Sequence, residues 1–179
     1  MADINSMPAR ERILELLSYD PDTGRLTWRR RANNNGAPEG SEAGNISKSL
    51  GYRFVGVCGK NILAHRLIWF MVHGTVPAVV DHINRDKSDN RLCNLRAADK
   101  RLNAFNVKML STNTSGYRGV SIERSTGKWV ARINDGTAYR MIGRYTSKED
   151  AYEAYRAEAL KVAGEFASWM SPQSKTMTV

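Results

Sequence analysis

Hydrophobic and polar positions along this chain fall into short blocks that can be read one by one. In "MPARERILELLSYDPDTG", Ile13, Leu14 and Leu17 share a helical face and Pro8 suits a first helical position, which predicts a short helix. "DPDTG" then breaks it with turn chemistry, and "RLTW" reads as a strand. Residues 30–50 are polar and glycine-rich and read as a long loop. "GYRFVGVCGKNILAHRL" predicts a hairpin with its turn at "CGKN". "HRLIWFMVHG" is apolar nearly all round, the mark of a buried short helix, and it ends at Gly74. "AVVDH" predicts a short strand with a partner around Arg91 to Arg96. Asp99 stands where an N-cap would, before "KRLNAFNVK".

The stretch after Leu110 is small and polar, so 107–114 is the expected linker between a domain at 1–106 and another at 115–168, with a tail at 169–179. In the second domain "YRGVSIE", "KWVARIN" and "YRMIGRYT" are strand-like runs separated by "RSTG" and "DGTA". A helix is predicted from about Ser147, with Tyr152, Tyr155, Ala159, Val162 and Phe166 on one side. Three strands and an amphipathic helix make a small unit with the helix on one sheet face, so the expected class is α+β. Alternation in "KWVARIN" sets Trp129, Ala131 and Ile133 toward that helix and turns Val130, Arg132 and Asn134 outward.

Charge changes the picture. The 179 residues carry a net charge of +9, spread as +2, +4 and +3 over 1–60, 61–110 and 111–179. A basic folded surface points to a polyanion, most often nucleic acid; a merely soluble basic protein is the bland alternative. The two cysteines, Cys58 and Cys93, form no C-x-x-C pair, so no structural zinc is expected. No run reaches the roughly 18 apolar residues of a membrane span, and "MADINSMPARER" lacks a signal-peptide core, so the expected location is the cytoplasm.

The stretch "VVDHINRDKSDNRLCNLR" concentrates ionisable chemistry at the end of a predicted strand. Phosphodiester hydrolysis needs a base to deprotonate water and a cation to stabilise charge on the phosphate and the leaving oxygen. Histidine suits the first task near neutral pH, and carboxylate and amide oxygens suit Mg²⁺ or Mn²⁺. Adjacent strand residues point to opposite faces, so Asp81 and His82 reach one phosphate only if the chain turns there. Two readings therefore stand: a surface turn after a strand, or a metal-dependent active site. Asp86, Asp89 and Asn90 read as loop-structuring Asx residues. His65 reads as a capped core histidine or a phosphate contact. Arg85, Lys87, Arg91, Arg96, Lys100 and Arg101 flank the stretch as candidate phosphate contacts.

From His65 to Asn106, "HRLIWFMVHG", "VVDHINRDKSDNRLCNLR" and "RLNAFN" resemble the HNH endonucleases of phages and group I introns. The resemblance implies a ββα-metal core over about 65–106. It implies His82 as general base, Asp81 as a metal ligand, Asn94 as the residue that braces the loop and orients the histidine, and Asn103 as a metal ligand on the helix. An asparagine at that last place implies one Mg²⁺ or Mn²⁺ per site. From Ser115 to Ala167 the pieces "YRGV", "GKWVARI" and "IGRYTSKEDAYEAYRAEALKVAGEFA" resemble the AP2 DNA-binding domain, whose sheet lies in the major groove. By that resemblance Arg118, Ser121, Tyr139 and Met141 stand at DNA-contact places; the alternation that turns Arg132 and Asn134 outward sets them toward DNA, and Arg124, Lys128, Arg140 and Arg144 are candidate phosphate contacts. Tyr139, Met141 and Ser121 depart from the arginine, tryptophan and arginine frequent in that family, so its recognition sequence is not carried over. The resemblance implies a homing or nicking DNA endonuclease of phage or prophage origin in a bacterial host. It would act on double-stranded DNA, as a monomer rather than a dimer. A DNA-binding regulator with an inactive nuclease fold and an RNA nuclease are the rivals.

Overall fold

The segment "LSYDPDTGRLTW" forms a hairpin where the sequence predicts the end of a helix. In the computed structural model, which describes residues 7–31, 36–106, 109 and 111–170, helix α1 runs only over Arg10–Leu16. Leu17 is already extended and starts strand β1, Leu17–Asp20, which pairs antiparallel with β2, Arg25–Trp28. The turn decides this. Asp20 accepts the Asp22 amide (3.0 Å) and the Thr23 hydroxyl (2.6 Å) through its carboxylate, and its carbonyl accepts the Gly24 amide at 2.9 Å. A locally saturated turn favours the strand pair over another helical turn. Consequently Ile13, Leu16 and Leu17 are buried, whereas Leu14 is exposed, and Pro8 lies ahead of the helix rather than at its first position.

The chain separates into two compact units, Met1–Asp99 and Lys100–Val179. Residues 107, 108 and 110 of the expected linker and 171–179 of the expected tail lie outside the described residues. Both units mix helices with antiparallel sheets, the α+β class that the pattern predicts.

In the first unit, β3 (Asn45–Ile46), β4 (Arg53–Val57) and β5 (Lys60–Leu63) form a sheet in that order. The long loop thus contributes a short strand; its residues 32–35 lie outside the described residues. The β4–β5 hairpin turns at Cys58 and Gly59, both at positive φ (50° and 71°), the pattern of a two-residue primed turn. Helix α2, Ala64–His73, buries Leu67, Ile68, Phe70 and Met71 and stops at Gly74 in the left-handed conformation. Strand β6, Val79–His82, pairs with β7, Leu95–Ala98, which begins later than expected because a 3-10 turn occupies Leu92–Asn94.

In the second unit helix α3, Lys100–Asn106, is followed by β8 (Val120–Glu123), β9 (Lys128–Asn134) and β10 (Tyr139–Tyr145), in the sheet order β10-β9-β8. Helix α4, Lys148–Ala163, is N-capped by Ser147, whose hydroxyl accepts the Asp150 amide at 3.0 Å. Its buried stripe is Ala151, Tyr155, Arg156, Ala159 and Ala163. Tyr152 and Val162 sit at its margin, and Phe166 is buried in the 3-10 segment Gly164–Met170.

Alternation fails at one strand position. Val130 was expected to face outward, yet it is fully buried. Register sets Ser121 and Arg144 directly across from it on the same face, with Arg132 two residues along. Arg132 donates to the Ser121 hydroxyl at 2.9 Å, and Arg144 holds Glu123 at 2.9 and 3.0 Å. Long polar side chains lying flat on a sheet cover apolar surface with their stems.

Candidate active site

Strand β6 delivers Asp81 and His82 as neighbours, and both are buried. They point to opposite faces, so each meets different partners. Asp81 stands across the ladder from Arg96, and one carboxylate oxygen accepts from Nε at 2.9 Å and lies 2.9 Å from Nη2 of that guanidinium. Arg96, expected among the phosphate contacts, is therefore buried and ion-paired beside the candidate metal ligand. The chain turns immediately after the pair: the Ile83 amide bonds to the Asn94 carbonyl (2.9 Å), the Arg85 amide to the His82 carbonyl (3.0 Å), and Arg85 sits at φ 65°.

His82 is enclosed on several sides. Its Nε2 lies 3.1 Å from Asn90 Oδ1. The His65 ring meets it edge-on at 4.8 Å between centroids, and Tyr52 lies 6.0 Å away. Burial holds the imidazole below the ordinary histidine range, while the Asn90 hydrogen bond and the carboxylates of Asp81, Asp86 and Asp89 act in the opposite direction. The net result is a neutral ring at neutral pH, the form that accepts a proton.

The loop between β6 and β7 is tied by its own polar side chains. Asn84 Oδ1 accepts the Asp86 amide (2.8 Å), and Asp86 Oδ1 accepts the Ser88 amide and hydroxyl (2.9 and 2.7 Å). Asp89 grips Arg91 at 2.8 and 2.7 Å and accepts from Asn84 Nδ2 at 2.8 Å; the Arg91 hydrogen bond lowers its carboxyl to about 2. Asn94 spans the loop, with Oδ1 accepting the Asn84 amide (3.0 Å) and Nδ2 donating to the Asp89 carbonyl (2.8 Å). Asn94 thus ties the two ends of the loop together, and Asn90 is a side chain bonded to His82.

Asn90 and Tyr52 are residues that sequence reading did not put at the site, and His65 stood between a core histidine and a phosphate contact. A loop residue has no periodicity to reveal it. His65 did carry a signal, as a lone polar residue on a face of an apolar helix. Its burial against His82, Tyr52 and Arg66 holds it down to about 3. The unfolded chain takes up a proton near pH 6.5 while the folded one does not, so stability is full above that value. It declines as pH falls toward 3, by up to about 1.4 kcal/mol per pH unit for the group. His65→Phe is expected to flatten the pH dependence of urea midpoints between pH 6 and 4, measured with chelator; an unchanged slope would show that another group carries it.

The other expected contacts are dispersed. Arg85 is half-buried and Arg91 exposed. Asn103 lies half-buried on α3, in the second unit, where Arg101 donates to the Asp135 carbonyl (3.0 Å) and the half-buried Arg118 to the Ala104 carbonyl (2.9 Å). Arg124 is exposed in the turn after β8. Arg140 lies against the helix side and pairs with Glu158. By contrast, Ser121, Arg132, Asn134, Tyr139, Met141 and Arg144 gather on one sheet face: register pairs Asn134 with Tyr139 and Arg132 with Met141. Tyr139 is 71% exposed and Met141 46%, high for such side chains in a strand.

Among the described residues no three His, Cys, Asp or Glu side chains come together as a metal cluster. Asp81 supplies one carboxylate. A carboxylate oxygen is a donor that suits a hard divalent cation, which can complete its shell with water and substrate phosphate. No helix among the described residues is long and apolar enough to cross a membrane.

Residues 63–105 match the HNH endonuclease family. The segment includes Asp81, His82, Asn94 and Asn103. An uncharacterized HNH endonuclease of Acanthamoeba polyphaga mimivirus is 32% identical over 107 residues, 58% of this chain and 54% of that protein. Protein 3.8 of Escherichia phage T7 is 33% identical over 71 residues, 38% of this chain and 59% of that protein. The chain thus spans little more than half the length of these relatives. No solved structure matches it.

Proposed function

We propose that this chain is a DNA endonuclease of the homing or nicking kind, in which His82 is the general base. The observation that carries the reading is the buried, neutral His82 set next to Asp81 at a strand end, inside a segment that matches HNH endonucleases. His82 takes a proton from the attacking water. Asp81 would hold one Mg²⁺ or Mn²⁺, which when bound stabilises charge on the phosphate and the leaving 3′ oxygen, and Asn103 is the further ligand that the HNH resemblance implies. Arg96 fixes the Asp81 carboxylate across the ladder, and the Asn94 bonds keep the loop from displacing His82. Arg85 and Arg91 supply positive charge around the scissile phosphate. The reading predicts cleavage of duplex DNA that requires added Mg²⁺ or Mn²⁺ and stops in chelator. Cleavage undiminished in chelator, or confined to duplex RNA, would overturn it.

The second unit is proposed to anchor the enzyme on duplex DNA as an AP2-like module, through the face carrying Arg132, Asn134, Tyr139, Met141 and Arg144. Its three-stranded antiparallel sheet backed by one helix is the arrangement that resemblance implies. Phosphate contacts would position the chain and the other side chains would read base edges. Replacing Arg132 and Arg144 together by alanine is expected to lower the slope of log affinity against log salt by about 2. Anisotropy titrations at several salt concentrations check this, with circular dichroism confirming the fold; an unaltered slope would remove the face from the DNA interface.

A further inference from the structure

We infer that Asn90 is the positioning residue of the candidate base, and that the N-terminal hairpin β1–β2 is the mount that holds it. The inference deepens the proposed role of His82 and rests on it. Asn90 is 3% exposed, in a loop whose neighbouring positions 84 and 86–88 are exposed. Its Nδ2 donates to the Ser88 carbonyl at 3.3 Å. A carbonyl can only accept, so the amide nitrogen must face Ser88 and the amide oxygen must face His82. An amide oxygen also only accepts. His82 Nε2 therefore carries its proton toward Asn90, and the basic lone pair of the neutral ring belongs to Nδ1. A group that fixes one ring nitrogen selects both the tautomer and the ring orientation, the part a carboxylate plays in hydrolytic triads.

The hairpin supports Asn90 from behind. The Tyr19 hydroxyl donates to the Asn90 carbonyl at 3.2 Å. Gly24, at φ 73°, leaves no room for a side chain: a Cβ there would stand 2.6 Å from the Arg91 amide nitrogen and 2.7 Å from the Asn90 carbonyl carbon. Both obstacles are backbone, which cannot swing aside. The turn that replaced the predicted helix end is thus packed directly on the peptide unit that aims the Asn90 side chain.

The test uses the full chain with Asn90→Leu, Asn90→Asp and Gly24→Ala. Long-range ¹⁵N–¹H correlation of histidine-labelled protein, in chelator and at a pH where His82 is neutral, reads the tautomer without any cleavage. Wild type and Asn90→Asp are expected to hold the proton on Nε2; Asn90→Leu is expected to lose that single form. With metal, Asn90→Leu is expected to lower kcat by about 10–100-fold, as removal of an orienting partner does, with KM and DNA affinity unmoved. Asn90→Asp, which keeps the acceptor, restores most of that loss, and Gly24→Ala shows the same kcat-only defect. If Asn90→Leu keeps the Nε2 proton, or keeps kcat, the positioning role is overturned. If His82→Ala still cleaves, the general-base reading fails instead, and the tautomer spectra still decide whether Asn90 sets the ring.

Discussion

His82→Ala lowers the rate of DNA cleavage by about 10²–10⁴-fold, the range that a positioned general base supplies, and leaves the dissociation constant for duplex DNA unchanged. The expectation comes from where the ring sits. It is buried at the end of β6, kept neutral by its surroundings, and hydrogen-bonded to Asn90 rather than turned outward toward solvent. Such a side chain offers little to phosphate binding and much to proton transfer. Alanine removes the base without adding bulk or charge. Single-turnover cleavage and anisotropy on the same duplex separate the two quantities. A parallel loss of cleavage and binding would mean that His82 contributes to holding DNA, and the general-base assignment would fall.

Arg96→Met costs about 3–5 kcal/mol of stability in chelator, the usual consequence of leaving one partner of a buried ion pair alone. Both side chains are about nine-tenths buried, and they face each other across the β6–β7 ladder. Without the guanidinium, the Asp81 carboxylate keeps its desolvation cost and loses the Nε hydrogen bond and the Nη2 ion contact. The double variant Asp81→Leu/Arg96→Met is expected to regain most of the loss, because an apolar pair of similar volume needs no compensation. Urea unfolding of the three proteins measures both effects. A loss under about 1 kcal/mol for Arg96→Met, a value typical of exposed pairs, would show that the pair does not carry the burial of Asp81.

These two residues also mark what sequence reading can reach. The β4–β5 hairpin, α2, β6 and the three strands with α4 were legible, because apolar and β-branched runs bounded by turn residues survive in the sequence. The end of α1 was not, because Ile13, Leu14 and Leu17 fit a helix as well as a helix followed by a strand; the Asp20 hydrogen bonds settle the matter, and they leave no periodic trace. Val130 eluded alternation because the rule assumes a wet outer face, whereas Ser121, Arg132 and Arg144 border that position. At the candidate site, the Asp81-His82 dipeptide and Asn94 stood out by type and order. Arg96 read as one more surface cation, since composition cannot tell an arginine facing solvent from one facing a carboxylate across a ladder. Asn90 read as a turn residue, and it is one; its contact with His82 depends on a hairpin more than sixty residues earlier in the chain.

The central claim is that this chain cuts DNA. Purified protein incubated with supercoiled duplex DNA, over a series of Mg²⁺ and Mn²⁺ concentrations at low salt, tests it most directly. The account predicts metal-dependent conversion to the nicked form, absent with His82→Ala. Supercoiled DNA left intact under every metal and salt condition, while a mobility shift shows it bound, would contradict the account and leave a DNA-binding protein with an inactive nuclease fold.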